Sequence, residues 1–308
     1  MSKPKPLKKC KSCGKDIPPN TYKSRKICDG CRNKNHKDYL KKYFLKKKIK
    51  GRVMKMNEKV KSEDMNEFVI LTWNGAEDTK QLVCSIIATV NKCKFIFVDN
   101  GSTDDTIHFL ESIPRAKIIK TSCGFAKAVN LGLAECVTKY PTVCNNDLIV
   151  TSNWHDNLMI GMKSYPNIKV LVPTTDNCGE GMQWFPSQDC VKPAIIATRE
   201  INMVCFTIDR AYWTTHKLDE SYISGVEDID YCWQVNKDKF NVGVCLASFV
   251  HHEGSKTNKR EFKEDKMKSN LATGWKLFAK KWGNEGALRS NDYFKCKDTE
   301  ELKKVLNK

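Results

Sequence analysis

Four groups of residues in this chain can hold a metal, a phosphate or a proton, and each follows an apolar run. They are Asp99 in Val98-Asp99-Asn100-Gly101-Ser102, Asp147 in Asn145-Asn146-Asp147, the acidic residues of Glu227-Asp228-Ile229-Asp230, and the pair His251-His252. In an open α/β sheet, ligands bind in the crevice beyond the carboxyl ends of the strands. Acidic groups at several strand ends therefore predict one polar crevice rather than scattered surface charge.

A fifth group stands apart. Cys10-Lys11-Ser12-Cys13 and Cys28-Asp29-Gly30-Cys31 form two C-x2-C knuckles separated by fourteen residues. Four thiolates at that spacing suit one tetrahedral Zn²⁺. Because four cysteines leave no coordination position open, this metal would hold structure only. A redox dithiol is the weaker alternative, since two such pairs in a short basic segment match a ribbon better. About 30 residues bury little core, so the ribbon is expected to fold only with its metal. The other eleven of the 15 cysteines sit singly, most of them in apolar segments, and read as reduced core fillers.

Charge is divided as sharply as the cysteines. Residues 1–62 carry 22 Lys and Arg against 4 Asp and Glu, whereas the remainder carries 31 against 32. A neutral body with a strongly basic head is the electrostatic footprint of a polyanion partner, nucleic acid above all. A solvated tail is the plainer alternative. From His36 to about Lys50 a basic helix is expected, with Tyr39, Tyr43 and Phe44 forming an aromatic stripe. That stripe can pack on the body or lie along phosphates. No apolar run reaches the ~18 residues of a membrane span, and the Lys-rich start lacks the apolar core of a signal peptide. The expectation is a soluble, cytoplasmic protein.

The elements that must position the acidic groups are legible from residue 67 onward. Phe68 to Asn74 and Lys94 to Val98 read as buried strands, with a helix from Asp78 to Val90 between them. A helix over 106–113, a strand near 117–119 and a helix over 126–137 continue the alternation. This pattern predicts a mainly parallel, doubly wound sheet. Residues 224–233 read as a helix start and 242–250 as a late strand, while 172–201 reads as irregular. The organisation expected is a zinc ribbon over 1–34, a basic helix and linker over 35–64, a catalytic body over 65–258 and a helical extension over 259–308. In that extension Trp275, Leu277, Phe278 and Trp282 suggest a lid or buttress.

Several motifs in the body share an order seen elsewhere. Thr72-Trp73-Asn74, Val98 to Asp104, Gly124 to Gly132, Asn145-Asn146-Asp147, Leu218 to Tyr222, Gly225 to Asp230 and His251 to Ser255 together resemble the family 2 glycosyltransferases of GT-A fold. The resemblance covers roughly residues 66–258. It implies a doubly wound, mixed-sheet nucleotide-sugar-binding fold and an inverting transferase. Thr72, Asn74, Asp99, Gly101, Lys127, Asn145 and Asn146 would lie around a nucleoside-diphosphate sugar. Asp147 would hold Mn²⁺ or Mg²⁺, helped by His251 or His252. Asp228 would act as general base, with Glu227 and Asp230 in support. The sequence departs from the family pattern at Asn145, where the first carboxylate of the metal motif is missing, and at Gln234, where many relatives carry arginine.

The basic segment with its knuckles resembles the small zinc ribbons of phage-type nucleases and other DNA-acting proteins. Together the two resemblances imply transfer of a sugar to a nucleic-acid acceptor, such as a hydroxylated base in phage DNA. A protein or surface-saccharide acceptor, or a catalytically dead nucleic-acid-binding protein, are the alternatives. The sequence does not indicate an oligomeric state.

Overall fold

The computed structural model describes residues 65–178, 183–185, 194–254 and 264–296. The cysteine knuckles, the basic helix and the linker lie outside the described residues.

Strand β1 (Asn66–Thr72) carries the unbroken apolar run Phe68 to Leu71 because both of its faces are covered. Its side chains alternate between two separate cores. Phe68 and Ile70 join Phe95 and Phe97 of β2 (Cys93–Asp99) in one, beneath α1 (Ala76–Thr89), α2 (Thr106–Glu111) and α4 (Trp154–Ser164). Val69, with Ile96 and Val98, faces the other, beneath α3 (Phe125–Ala134), α5 (Arg210–Thr215) and α6 (Glu227–Lys237). Helices therefore cover both faces of one sheet. Each fully buried Phe, Ile or Leu contributes about 2 kcal/mol relative to exposure.

The sheet is mixed, as the family resemblance implied, and so departs from the mainly parallel pattern that the strand–helix alternation suggested. Strands β3 (Lys117–Lys120), β2, β1 and β4 (Thr142–Asn145) pair in parallel. Beyond them β8 (Cys205–Ile208) pairs antiparallel with both β4 and β6 (Ile168–Thr175). The long β9 (Asn241–His252) runs parallel to β6 but antiparallel to β5 (Leu148–Val150) and β7 (Ile195–Thr198). The order is β3-β2-β1-β4-β8-β6-β9-β5, with β7 also on β9. Half of the pairings among these strands are antiparallel, and each antiparallel pair joins strands that are not consecutive in the chain. Strands β6 and β7 also occupy parts of the stretch expected to be irregular.

The first carboxylate of β1 is structural. Glu67 is buried and accepts from Lys94 Nζ at 2.8 Å, from the Val137 and Thr138 amides at 2.7 Å and from Thr138 Oγ1 at 2.8 Å. Burial alone would raise its pKa, but these donors outweigh it and hold the carboxyl below its ordinary value. The long helix α7 (Glu264–Cys296) breaks at Gly283 (φ 61°, ψ −140°). Through Trp275 and Phe278 it forms a third apolar cluster with Tyr222 and Val226, outside α6. Nine cysteines among the described residues are free thiols, six of them buried. Among the described residues no helix is long and apolar enough to cross a membrane.

Candidate active site

Strands β1, β2 and β4 are parallel, so their carboxyl ends open on the same edge of the sheet. A cleft of about 580 Å³ lies there. Of the residues expected at a site, Thr72, Asn145, Asn146, Asp147, Glu227, Asp228 and His252 line it together. They come from four different segments.

Asp147 sits in the two-residue turn between β4 and β5 and is almost wholly buried. His252 ends β9, directly opposite Leu148. Its Nε2 lies 3.4 Å from Asp147 Oδ1, and its Nδ1 lies 2.5 Å from the carbonyl oxygen of Asn177. A ring nitrogen facing a carbonyl must carry the proton, which aims the Nε2 position at Asp147. Burial would lower the His252 pKa, but Asp147, the Asn177 carbonyl and Asp176 together raise it. His251 points to the opposite side of the strand. Its Nδ1 lies 3.0 Å from Asp176 Oδ2, and Asp176 Oδ1 also accepts from the His252 amide. Asp176 thus fixes both histidines. It went unrecognised in the sequence because it falls within the stretch expected to be irregular.

The acidic trio divides. Glu227 and Asp228 open α6 and line the cleft. Asp228 accepts from its neighbour's amide, Ile229 N–H, at 2.8 Å. Burial pushes its pKa up; backbone amides including those of Ile229 and Met203 oppose this, and the Glu200 charge adds to it. Burial raises Glu227 as well, aided by the adjacent Asp228 charge. Glu227 Oε2 is buried without a hydrogen-bond partner. Asp230, by contrast, turns away from the cleft. Its carboxylate accepts from Tyr222 Oη at 3.1 Å, Lys281 Nζ at 2.7 Å and Trp282 Nε1 at 2.8 Å.

The residues expected around a donor divide too. Asp99 is buried beside the cleft rather than on its wall, and holds the loop that follows β2. It accepts from the Gly101 and Ser102 amides at 3.1 and 3.0 Å, from Ser102 Oγ at 2.5 Å and from Thr72 Oγ1 at 3.2 Å. Gly101 allows that loop its left-handed φ of 88°. Asn74 Oδ1 accepts from the Thr103 and Asp104 amides, tying the end of β1 to the same loop. Lys127 is exposed on α3, off the cleft wall. Trp213 packs in the core: it is buried and donates to Asn130 Oδ1 at 3.0 Å.

Trp73, Asn100, Gly124 and Phe125 line the cleft within motifs already noted, whereas Met203, Val204 and Ile223 carry no chemical signal in the sequence. Gly124 explains how the two walls meet. A Cβ there would fall 2.7 Å from the Ile223 carbonyl oxygen, so only glycine lets α3 start against the 222–225 loop.

The mixed sheet, with helices on both faces and a cleft at its parallel edge, defines an α/β fold of the GT-A type. The glycosyl transferase family 2 model matches residues 67–226, and the chain belongs to that family. Among solved structures it is similar to GalNAc-T7 in complex with UDP, GalNAc and Mn²⁺. There the TM-score is 0.52 at 15% identity, over 61% of this chain and 43% of the other. It is also similar to residues 1–349 of TarS from S. aureus, with a TM-score of 0.47 and 14% identity over 68% and 69% of the two chains. No curated protein matches in sequence.

Proposed function

We propose that the protein is an inverting glycosyltransferase that moves a sugar from a nucleoside diphosphate to an acceptor hydroxyl, with a divalent cation in the cleft. The observation that carries this reading is the meeting of Asp147, His252, Glu227 and Asp228 on one wall system, at the edge where β1, β2 and β4 end. Asp147 and His252 would supply two ligands to Mn²⁺ or Mg²⁺, and since no group of three or more metal-binding side chains occurs among the described residues, diphosphate oxygens would complete the shell. Asp147 Oδ1 and His252 Nε2 face each other, the far ring nitrogen is anchored on a carbonyl as metal-bound histidines usually are, and no Lys or Arg is among the described residues lining the cleft. When bound, such a cation neutralises charge developing on a departing diphosphate. GalNAc-T7 binds UDP and Mn²⁺ on the same type of fold, which is consistent with this reading.

The remaining chemistry belongs to the chain's own residues. As the acceptor oxygen attacks the anomeric carbon, its proton passes to Asp228. The sugar–phosphate bond breaks on the opposite side, and its electron pair leaves with the diphosphate. A carboxylate with a raised pKa is a better match to an alcohol proton than an ordinary aspartate. All six of Thr72, Trp73, Asn145, Met203, Ile223 and Ser224 line the cleft; the first three would face the donor and the last three the acceptor.

The acceptor is a nucleic acid, held through the basic segment 1–62 and its four-cysteine zinc knuckles; a hydroxylated base extruded into the cleft is the form that fits best. The test is incubation of the full chain and Mn²⁺ with radiolabelled sugar nucleotides against hydroxylated DNA, unmodified DNA, protein and lipid-linked acceptors. Label incorporated into hydroxylated DNA is expected. Label found only in protein or saccharide would overturn the nucleic-acid reading, and absence of both transfer and donor hydrolysis would overturn the transferase.

A further inference from the structure

Asp228 is approached from two sides, and both sides lead back to α7. One side is the segment before β8. Met203 of that segment lines the cleft together with Asp228. Three residues earlier, Glu200 takes a two-pronged contact from Arg289 of α7, at 2.9 and 3.2 Å from Nε and 2.6 Å from Nη2, together with Trp233 Nε1 at 2.9 Å.

The other side is the turn that launches α6. Gly225 and Val226 both have left-handed backbones, with φ of 88° and 78°. For glycine this is easy. For a β-branched valine it is an unfavourable conformation that the surroundings must hold. Helix α7 supplies that hold. A Cβ on its Gly274 would fall 2.6 Å from the Gly225 oxygen and 3.1 Å from Val226 Cγ2, so the helix backbone lies directly on the turn. Leu271 presses on Gly225 from the same helix. Lys281 then bridges Asp230, in the first turn of α6, and Asp219, at 2.7 and 2.9 Å.

We propose that α7 is a positioning clamp for the Asp228 carboxylate, with Lys281 and Arg289 as its two anchor residues. Neither anchor touches the cleft. Lys281 ties the first turn of α6 to Asp219 while Gly274 and Leu271 of the same helix hold the left-handed turn, and Arg289 ties α7 to Glu200 in the segment that leads to Met203. The clamp rests on the reading of Asp228 as the base.

The experiment compares Lys281→Met, Arg289→Met, Lys281→Arg and Arg289→Lys in the full chain, at temperatures where circular dichroism shows each to be folded. The readouts are kcat, donor KM, binding of a nucleoside diphosphate with Mn²⁺, and the pH profile. Both methionine variants are expected to lose roughly tenfold or more in kcat, as small misplacements of reacting groups do. Donor KM and nucleotide binding stay as in the parent protein, and the arginine and lysine replacements recover most of the rate. Arg289→Met also leaves the Glu200 charge uncompensated, so its acid limb moves to higher pH.

Unchanged kcat in both methionine variants, or a loss of nucleotide binding in step with kcat, overturns the clamp. Asp228→Asn separates the two ideas. If it retains the parental kcat, the base assignment fails and the clamp with it. If it is slow while the anchor variants are fast, only the clamp fails.

Discussion

At the residue scale, the structure distributes similar side chains among different tasks. Asp228 and Asp230 lie two positions apart, yet one faces the cleft and the other anchors Lys281 and Trp282. Asp228→Asn is expected to slow transfer by about 10²- to 10⁴-fold, the usual worth of a general base. Binding of Mn²⁺ and nucleotide should survive, and a kcat close to the parental value would remove Asp228 from the role. The pH dependence follows from the direction of its shift. The base works ionised, and burial raises its pKa, so activity is lost as pH falls through a midpoint above the ordinary aspartate value of about 4. A kcat/KM profile flat down to that value would contradict this. The histidines divide in the same way. His252→Ala should raise the Mn²⁺ concentration needed for half-maximal rate by about 10- to 100-fold, while His251→Ala, acting through Asp176, should have the smaller effect. Metal titrations of the two variants provide the comparison.

At the scale of elements, the site depends on close approaches that only small residues permit. Gly124→Ala places a methyl 2.7 Å from the backbone oxygen of Ile223, and backbone on both sides leaves little room to yield. The expected cost is about 1–3 kcal/mol of stability with a fall in kcat, read by thermal melts and steady-state rates together. The motif containing Gly124 was recognisable in the sequence, but its contact with a loop about a hundred residues away was not. Strand β9 shows a second limit. Val242, Val244, Leu246, Val250 and His252 share one parity in the sequence, so simple alternation puts them on one face. The pairing jumps from Pro173–Cys245 to Thr174–Phe249, inserting three extra residues on β9. An odd insertion flips the faces, and Val250 packs in the core opposite to that of Val242 and Val244. That flip decides which histidine meets Asp147.

For the whole molecule, the proposed function divides labour between the basic segment and the acidic cleft. The described residues lining the cleft include Asp147, Glu227 and Asp228 but no Lys or Arg, so they offer a polyanion little attraction. On the proposed nucleic-acid reading, affinity is expected to come from residues 1–62, with 22 basic side chains against 4 acidic ones. Zinc-loaded protein should bind duplex DNA at low salt and lose about 10³-fold in affinity between 50 and 200 mM salt, if some six phosphates are contacted. A chain lacking residues 1–62 should keep donor hydrolysis while losing that binding. Filter binding at several salt concentrations would show it, and equal affinity with and without the segment would refute it.

The sequence by itself determined what short-range chemistry can encode: the apolar strands ending in acidic residues, the helices between them, the family motifs in their order, and the segregation of charge. Those depend on residues within a few positions of one another, where periodicity and side-chain type are enough. Tertiary structure alone decided which carboxylate faces the cleft, which histidine faces Asp147, and that half the sheet runs antiparallel. It alone showed that α7 lies against the turn before Asp228. Each of these depends on contacts between segments distant in the chain, on one bulge and on a few glycines whose missing methyl groups matter only once the packing is complete.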